Sequence, residues 1–156
     1  MELTRVSLSA LVPDDKNARQ HSARNIDEIK RSLEQFGQHR ALVVQRGTNK
    51  ILIGNGMYQA MRELGWKEAD VYFVDDDDKQ AVKRALADNR TSDLSEWNPA
   101  VLSELVGSLD FDIPGWNVDE LKEMRDFDMP ALDSEDDTAG DGDGYFGDAR
   151  EATYSL

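Results

Sequence analysis

The sequence predicts a small α+β domain: one mixed sheet of about four strands with helices packed on it, followed by two more helices and an acidic tail. Three observations carry that expectation. Short apolar runs, ALVVQ (41–45), KILI (50–53) and ADVYFV (69–74), alternate with stretches whose apolar residues recur at helical spacing. Glycine, proline, Asn and Asp punctuate the junctions between them. Beyond Met129-Pro130 the hydrophobic periodicity stops and Asp and Gly dominate, the composition of a disordered segment.

The elements follow in order. VSLSALVP (6–13) reads as a short strand running into a turn at Pro13-Asp14-Asp15. NARQHSAR is polar and reads as a loop. Asn25 with Glu28 has the spacing of a capping box. Ile26, Ile29, Leu33 and Phe36 then share one helical face, which Gly37 ends. The 41–45 and 50–53 strands are joined by a short link containing Gly47 and Asn49, which predicts a hairpin. Residues 57–64 form a short helix closed by Gly65, and 69–74 is the fourth strand. Asp75 to Asp78 precede a helix, KQAVKRALADNR, whose Ala81, Val82, Ala85 and Leu86 are expected to face inward. Acids before a helix favour its positive end, which accounts for the run better than a metal site does. Asn98-Pro99 caps a further helix with a stripe of Val101, Leu102, Leu105, Val106 and Leu109. IPGW (113–116) turns the chain, Asn117 and Glu120 form another capping box, and Trp116 with Leu121 is placed as a hydrophobic staple. The last helix ends near Phe127. These boundaries give a domain over 1–97, a helical extension over 98–129 and an acidic tail over 130–156.

The chain has no cysteine, which excludes disulfides, thiolate metal sites and cysteine nucleophiles and fits a reducing cytoplasm. MELTRVSLSALVPDD lacks the apolar run of a signal peptide, and no stretch approaches the ~20 apolar residues of a membrane span. A cytoplasmic protein without membrane contact is expected. The net charge of −14 is unevenly spread. Residues 131–156 carry eight acids against Arg150, whereas residues 16–62 carry nine bases against three acids, a net of +6. A phosphate-bearing ligand responds to the local basic region, although a solvated surface explains the clustering equally well. DTAGDGDGYFGD hints at calcium but fails the EF-hand spacing.

The stretch "ILIGNGMYQAMRELGW" (51–66) sets Gly54 and Gly56 between a strand and a helix. Such a turn presents backbone N–H groups at a helix N-terminus, where the dipole also favours an anion. GNGM is neither a Walker loop nor a dinucleotide fingerprint, and a plain tight turn remains open as an explanation.

Four features, in order, resemble the ParB-like N-terminal domain, the family that shares a fold with sulfiredoxin. They are Asn17-Ala18-Arg19 with His21; the capped helix ending Phe36-Gly37 before ALVV; the glycine box of 51–66; and "RALADNRTSDLSEWN", similar to phage versions encoded beside DNA methyltransferases. The match runs from Leu8 to about Leu105. The resemblance implies a nucleotide-binding fold. Gly54, Asn55 and Gly56 would hold the phosphates of a nucleoside triphosphate, Asp88 would meet Mg²⁺ and Asn89 phosphate, and Arg19 and Arg90 would be supporting cations. It also implies nucleotide and/or DNA as partners, a DNA-modifying enzyme beside it, and phage or mobile-element origin.

The departures matter. Where nucleotide-binding relatives have consecutive arginines this chain has Met57 and Tyr58, and Arg62 is the nearest guanidinium. Losing one bidentate contact costs on the order of 1.5–3 kcal/mol. His39 and Arg40, at the mouth of the 41–45 strand, are placed to compensate. Sulfiredoxin chemistry is excluded, because its cysteine has no counterpart. The family's helix-turn-helix and dimer modules find no room, so a segregation clamp is not expected. Two other readings stand beside the binding module. One is an enzyme of phosphate chemistry, a nuclease or an NTP-dependent kinase or hydrolase. A two-metal nuclease needs converging carboxylates, and near the motifs only Asp88, Glu63 and Asp93 are candidates. The other is an interaction protein acting through its acidic tail.

Overall fold

The computed structural model describes residues 2–108, 112–117, 119–120 and 122–123. The acidic tail, the end of the last helix and Leu121 of the staple lie outside the described residues. Four strands, β1 (Leu3–Ser7), β2 (Leu42–Gln45), β3 (Ile51–Ile53) and β4 (Glu68–Val74), form one sheet in the order β1-β4-β2-β3. β1 runs antiparallel to β4, β2 parallel to β4, and β3 antiparallel to β2, so the sheet is mixed, as expected. Among the described residues the α-helices with full bounds are α1 (Ala23–Phe36), α2 (Asn55–Glu63), α3 (Asp78–Asp93) and α4 (Pro99–Gly107).

The sheet is covered on both faces. On one side α1 and α2 close over a core that includes Ile26, Leu33, Leu42, Val44, Ile51, Tyr58, Met61 and Val71. On the other, Ala81 of α3 packs on Leu52 and Val74. Ile51 and Leu52, adjacent in β3, serve opposite faces, as strand pleating requires. Every strand of the hairpin is therefore buried twice, and its unbroken apolar runs follow from that.

Several expectations shift. β1 starts at Leu3 and stops at Ser7, where the Ser7 hydroxyl accepts from Ser9 N–H and opens a 3-10 turn over Leu8–Ala10. That turn lets Leu8 and Leu11 both point into the core, which a continued strand over 6–13 does not allow. The cap of α1 is Ser22, whose Oγ accepts from Asn25 N–H at 3.1 Å; Asn25 lies inside the first turn. Phe36 is 63% exposed, so the buried face of α1 ends at Leu33, while Gly37 closes the helix with φ +70° as expected. In α3 only Ala81 is buried; Val82 and Leu86 share an open cleft with Leu52 and Ala81 and are more than half exposed there. In α4 Val106 is buried, Leu102 is half-buried, and Val101 and Leu105 are exposed; Leu109 of the expected stripe lies outside the described residues. Asn98 caps α4 ahead of Pro99, and Asn117 and Glu120 exchange the two hydrogen bonds of a capping box at 2.7 and 3.0 Å. Among the described residues no helix is long and apolar enough to cross a membrane.

Candidate functional site

Asp75 to Asp77, before α3, and Asp78, its first residue, each have a separate structural partner. Asp75 pairs with Arg46, Asp76 with Arg84, Asp77 caps α3 through Gln80 N–H, and Asp78 accepts from the Gln45 side chain. Capping and pairing thus use the whole run. The basic segment is similarly committed. Arg19, Arg24, Lys30, Arg31 and Arg46 each pair with an acid outside residues 16–62: Asp93, Glu120, Glu63, Asp112 and Asp75 respectively. Among the described residues Lys16, Arg40, Lys50 and Arg62 have no such ion pair.

The β3–α2 junction opens a cleft of ≈ 420 Å³. Gly54 caps α2 in the left-handed conformation, φ +98°, and supplies no side-chain cap. The first backbone bond of the helix is Tyr58 N–H to the Gly54 carbonyl at 2.9 Å, and within the described residues no backbone acceptor meets the N–H groups of Asn55, Gly56 and Met57. These are the orphan donors of a helix start, with the positive end of the dipole behind them. Around them the fold gathers three separate segments. Arg19 and His21 come from the loop before α1, His39 and Arg40 from the loop before β2, and Asp88, Asn89 and Ser92 from α3.

The expected residues do not all meet there. Gly54, Asn55, Gly56, Arg19, His39, Arg40, Asp88 and Asn89 line the cleft. Arg62 does not: its guanidinium lies 5.8 Å from the Tyr58 ring centroid and lines a neighbouring cleft of ≈ 580 Å³. Arg90, on the last turn of α3, lines neither. Arg19 reaches the cleft with its guanidinium already on Asp93, 2.8 Å away. The Asn55 side chain is also engaged, since its Nδ2 donates to the Ile51 carbonyl at 3.1 Å and its Oδ1 accepts from Asp14 N–H at 3.0 Å. Its backbone N–H has no backbone acceptor within the described residues. Glu63, bound to Lys30 and Gln59, is held below the usual carboxylate range first by the Gln59 hydrogen bond and then by Lys30.

His21 is the residue that composition and spacing underrated. An ideal Cβ on Gly56 would fall 2.7–2.9 Å from three atoms of its imidazole. The ring therefore occupies the space of a side chain at position 56, and its Nδ1 lies 2.7 Å from Asn25 Oδ1. The signal available in the sequence was Gly56 itself, a glycine on an ordinary helical backbone that needed a neighbour to explain it.

For a metal the donor set is narrow. Among the described residues no group of three or more His, Asp or Glu converges. One carboxylate, Asp88, fits Mg²⁺ that arrives coordinated by phosphates, the usual manner for that ion, and does not fit a cation held by protein alone.

The mixed four-stranded sheet with its helices is the fold of a ParB chain among the solved structures. The crystal structure of a C-terminally truncated chromosome-partitioning protein ParB from Caulobacter crescentus, complexed with CTP-γ-S, is similar with a TM-score of 0.60 at 13% identity, over 69% of this chain and 64% of that one. This chain thus spans just under two thirds of that ParB chain. A pNOB8-like ParB N-domain aligns at 23% identity and TM-score 0.47, over 66% and 44% of the two chains. Sulfiredoxin from Arabidopsis thaliana aligns at 16% and 0.46, over 55% and 98%. No sequence-family profile matches the chain, and no relative was found among curated proteins.

Proposed function

We propose that this domain is a nucleotide-binding module, with the phosphates of a nucleoside triphosphate seated at the start of α2. The observation that carries the reading is the convergence in one cleft of the N–H groups of residues 55–57, the exposed Arg40 and His39, and the Asp88-Asn89 pair. A volume of ≈ 420 Å³ suits a small molecule of nucleotide size. Backbone donors and the dipole bind the anion, Arg40 supplies the mobile cation that Met57 and Tyr58 do not, and Asp88 with Asn89 meets Mg²⁺ on the phosphates. That the similar ParB structure holds CTP-γ-S supports the choice of ligand class. DNA is the weaker partner, because five of the nine bases of the 16–62 segment are neutralised by acids from elsewhere in the chain. Phage-type origin and work beside a DNA-modifying enzyme belong to the same proposal and rest on the resemblance of Asp88-Asn89-Arg90 and its flanks.

Calorimetric titration with CTP, ATP and GTP, with and without Mg²⁺, tests it. Saturable binding of one nucleotide is expected. Arg40→Ala should weaken it about tenfold or more, the worth of a charge-assisted contact, and Asp88→Asn should remove the Mg²⁺ dependence. Silence with all three nucleotides overturns the reading.

A further inference from the structure

We infer that His21 is a ligand-contacting, specificity-determining residue of this cleft, and that Gly56 is glycine to make room for it. The inference rests on the nucleotide-binding reading above.

The backbone does not require glycine at 56, unlike at 54, since only Gly54 of the two has a positive φ. Space does require it. The imidazole lies where a β-carbon would be, with Cε1, Nε2 and Nδ1 all within 2.9 Å of that point. The ring is held there by its other edge. With Asn25 Oδ1 accepting at 2.7 Å, Nδ1 carries the proton, and Nε2 is left for something else. Asn25 is fixed in turn, because its N–H is bound by the Ser22 cap. The loop is pinned ahead of His21 at two points, by Asp14 N–H on Asn55 Oδ1 and by Arg19 on Asp93. His21 lines both the cleft at the start of α2 and the neighbouring one lined by Tyr58 and Arg62. It is thus a tethered imidazole at the boundary of two clefts, with one nitrogen committed to the protein and the other uncommitted. In the neutral ring that Nε2 only accepts; an oxyanion above Gly56 would meet a donor there when the ring carries both protons, a donor that position 56 itself does not provide. A neutral acceptor of the same shape would draw only an ordinary hydrogen bond from a protonated Nε2, where an oxyanion draws a charge-assisted one, and that difference is the source of the discrimination.

The probes are inorganic tripolyphosphate and the nucleotide that the wild-type protein binds. His21→Ala should weaken tripolyphosphate at least tenfold, and His21→Gln, whose amide reaches the Nε2 position, should recover most of the loss. Gly56→Ala should weaken binding in the wild-type background by displacing the ring, yet leave affinity unchanged when added to His21→Ala. Long-range ¹H–¹⁵N spectra should show the His21 Nε2 becoming protonated when tripolyphosphate is added, a change that a purely structural histidine does not undergo. If the wild-type protein binds and His21→Ala binds equally well, the inference fails and the nucleotide reading stands. Additive losses for His21→Ala and Gly56→Ala, or an unchanged Nε2 signal, also overturn it. If wild type binds neither probe, both fall together.

Discussion

The two glycines that open α2 look alike in the sequence and do different work in the fold. Gly54 is a backbone and core residue. Its φ of +98° is one that side chains rarely adopt, and a β-carbon there would lie 2.5 Å from Leu42 Cδ2. Leu42 is fully buried and has nowhere to move. Left-handed strain of roughly 1–2 kcal/mol and overpacking of about 1–3 kcal/mol combine, so Gly54→Ala should lower stability by about 2–5 kcal/mol in urea unfolding. A loss below about 0.5 kcal/mol would show that neither constraint operates. Gly56 needs room rather than conformation, and its requirement comes from a side chain 35 positions earlier. No local pattern could reveal that. Asn55 is similar: it reads as part of a phosphate turn, but its amide is a clamp between the Asp14 loop and β3.

Local signals placed most elements, and competition between nearby candidates explains the misses. Ser22 and Asn25 are both good caps three residues apart. Ser22 prevails because its hydroxyl meets the Asn25 N–H, which adds a turn to α1 and frees the Asn25 side chain to hold His21. Helical spacing marked Val82 and Leu86 as inward on α3, but the sheet face beneath it takes only Ala81. What seats α3 is the acidic run ahead of it. Asp76, whose side chain is 14% exposed, receives both Nε and Nη2 of Arg84, and this hydrogen bonding holds its carboxyl below the usual aspartate range. A carboxyl depressed in the folded state stabilises above its unfolded value near pH 4 and loses that contribution as pH falls through the folded one. Asp76→Asn should therefore be less stable than wild type at pH 7, and the gap should narrow as pH is lowered from about 5 toward 2. Parallel urea series across that range would show it. A gap that stays constant would mean the Asp76–Arg84 pair contributes nothing to stability.

Strand content was readable from short apolar runs, but the order β1-β4-β2-β3 was not, because it depends on pairing between the first strand and the last. Net charge was equally opaque, since a basic segment means little until its partners are known. Those partners also bear on the boundary near residue 97. Both apolar clusters draw their buried members from Leu8 to Ala81, entirely within 1–97. Beyond that boundary Val106 of α4 is buried, and the named contacts between the described part of the extension and the domain are polar ones on α1 and one aromatic edge. Arg24 pairs with Glu120, Arg31 with Asp112, Glu28 accepts from Gly115 N–H, and Trp97 meets Trp116 edge-on at 5.5 Å between centroids. The ion pairs are exposed and screened, so each adds little. The cleft is likewise complete within 1–97, its last lining residue being Ser92. A fragment spanning 1–97 should unfold cooperatively, with a urea midpoint only slightly below that of the full chain, and should bind nucleotide with affinity within about threefold of it. Because Arg24 and Arg31 lose their distal acids in the fragment, any change in affinity should be toward tighter binding of the anion, and it should disappear at high salt. A fragment without a cooperative transition would show that the 98–129 segment is part of the folding unit and that its surface contacts outweigh their exposure.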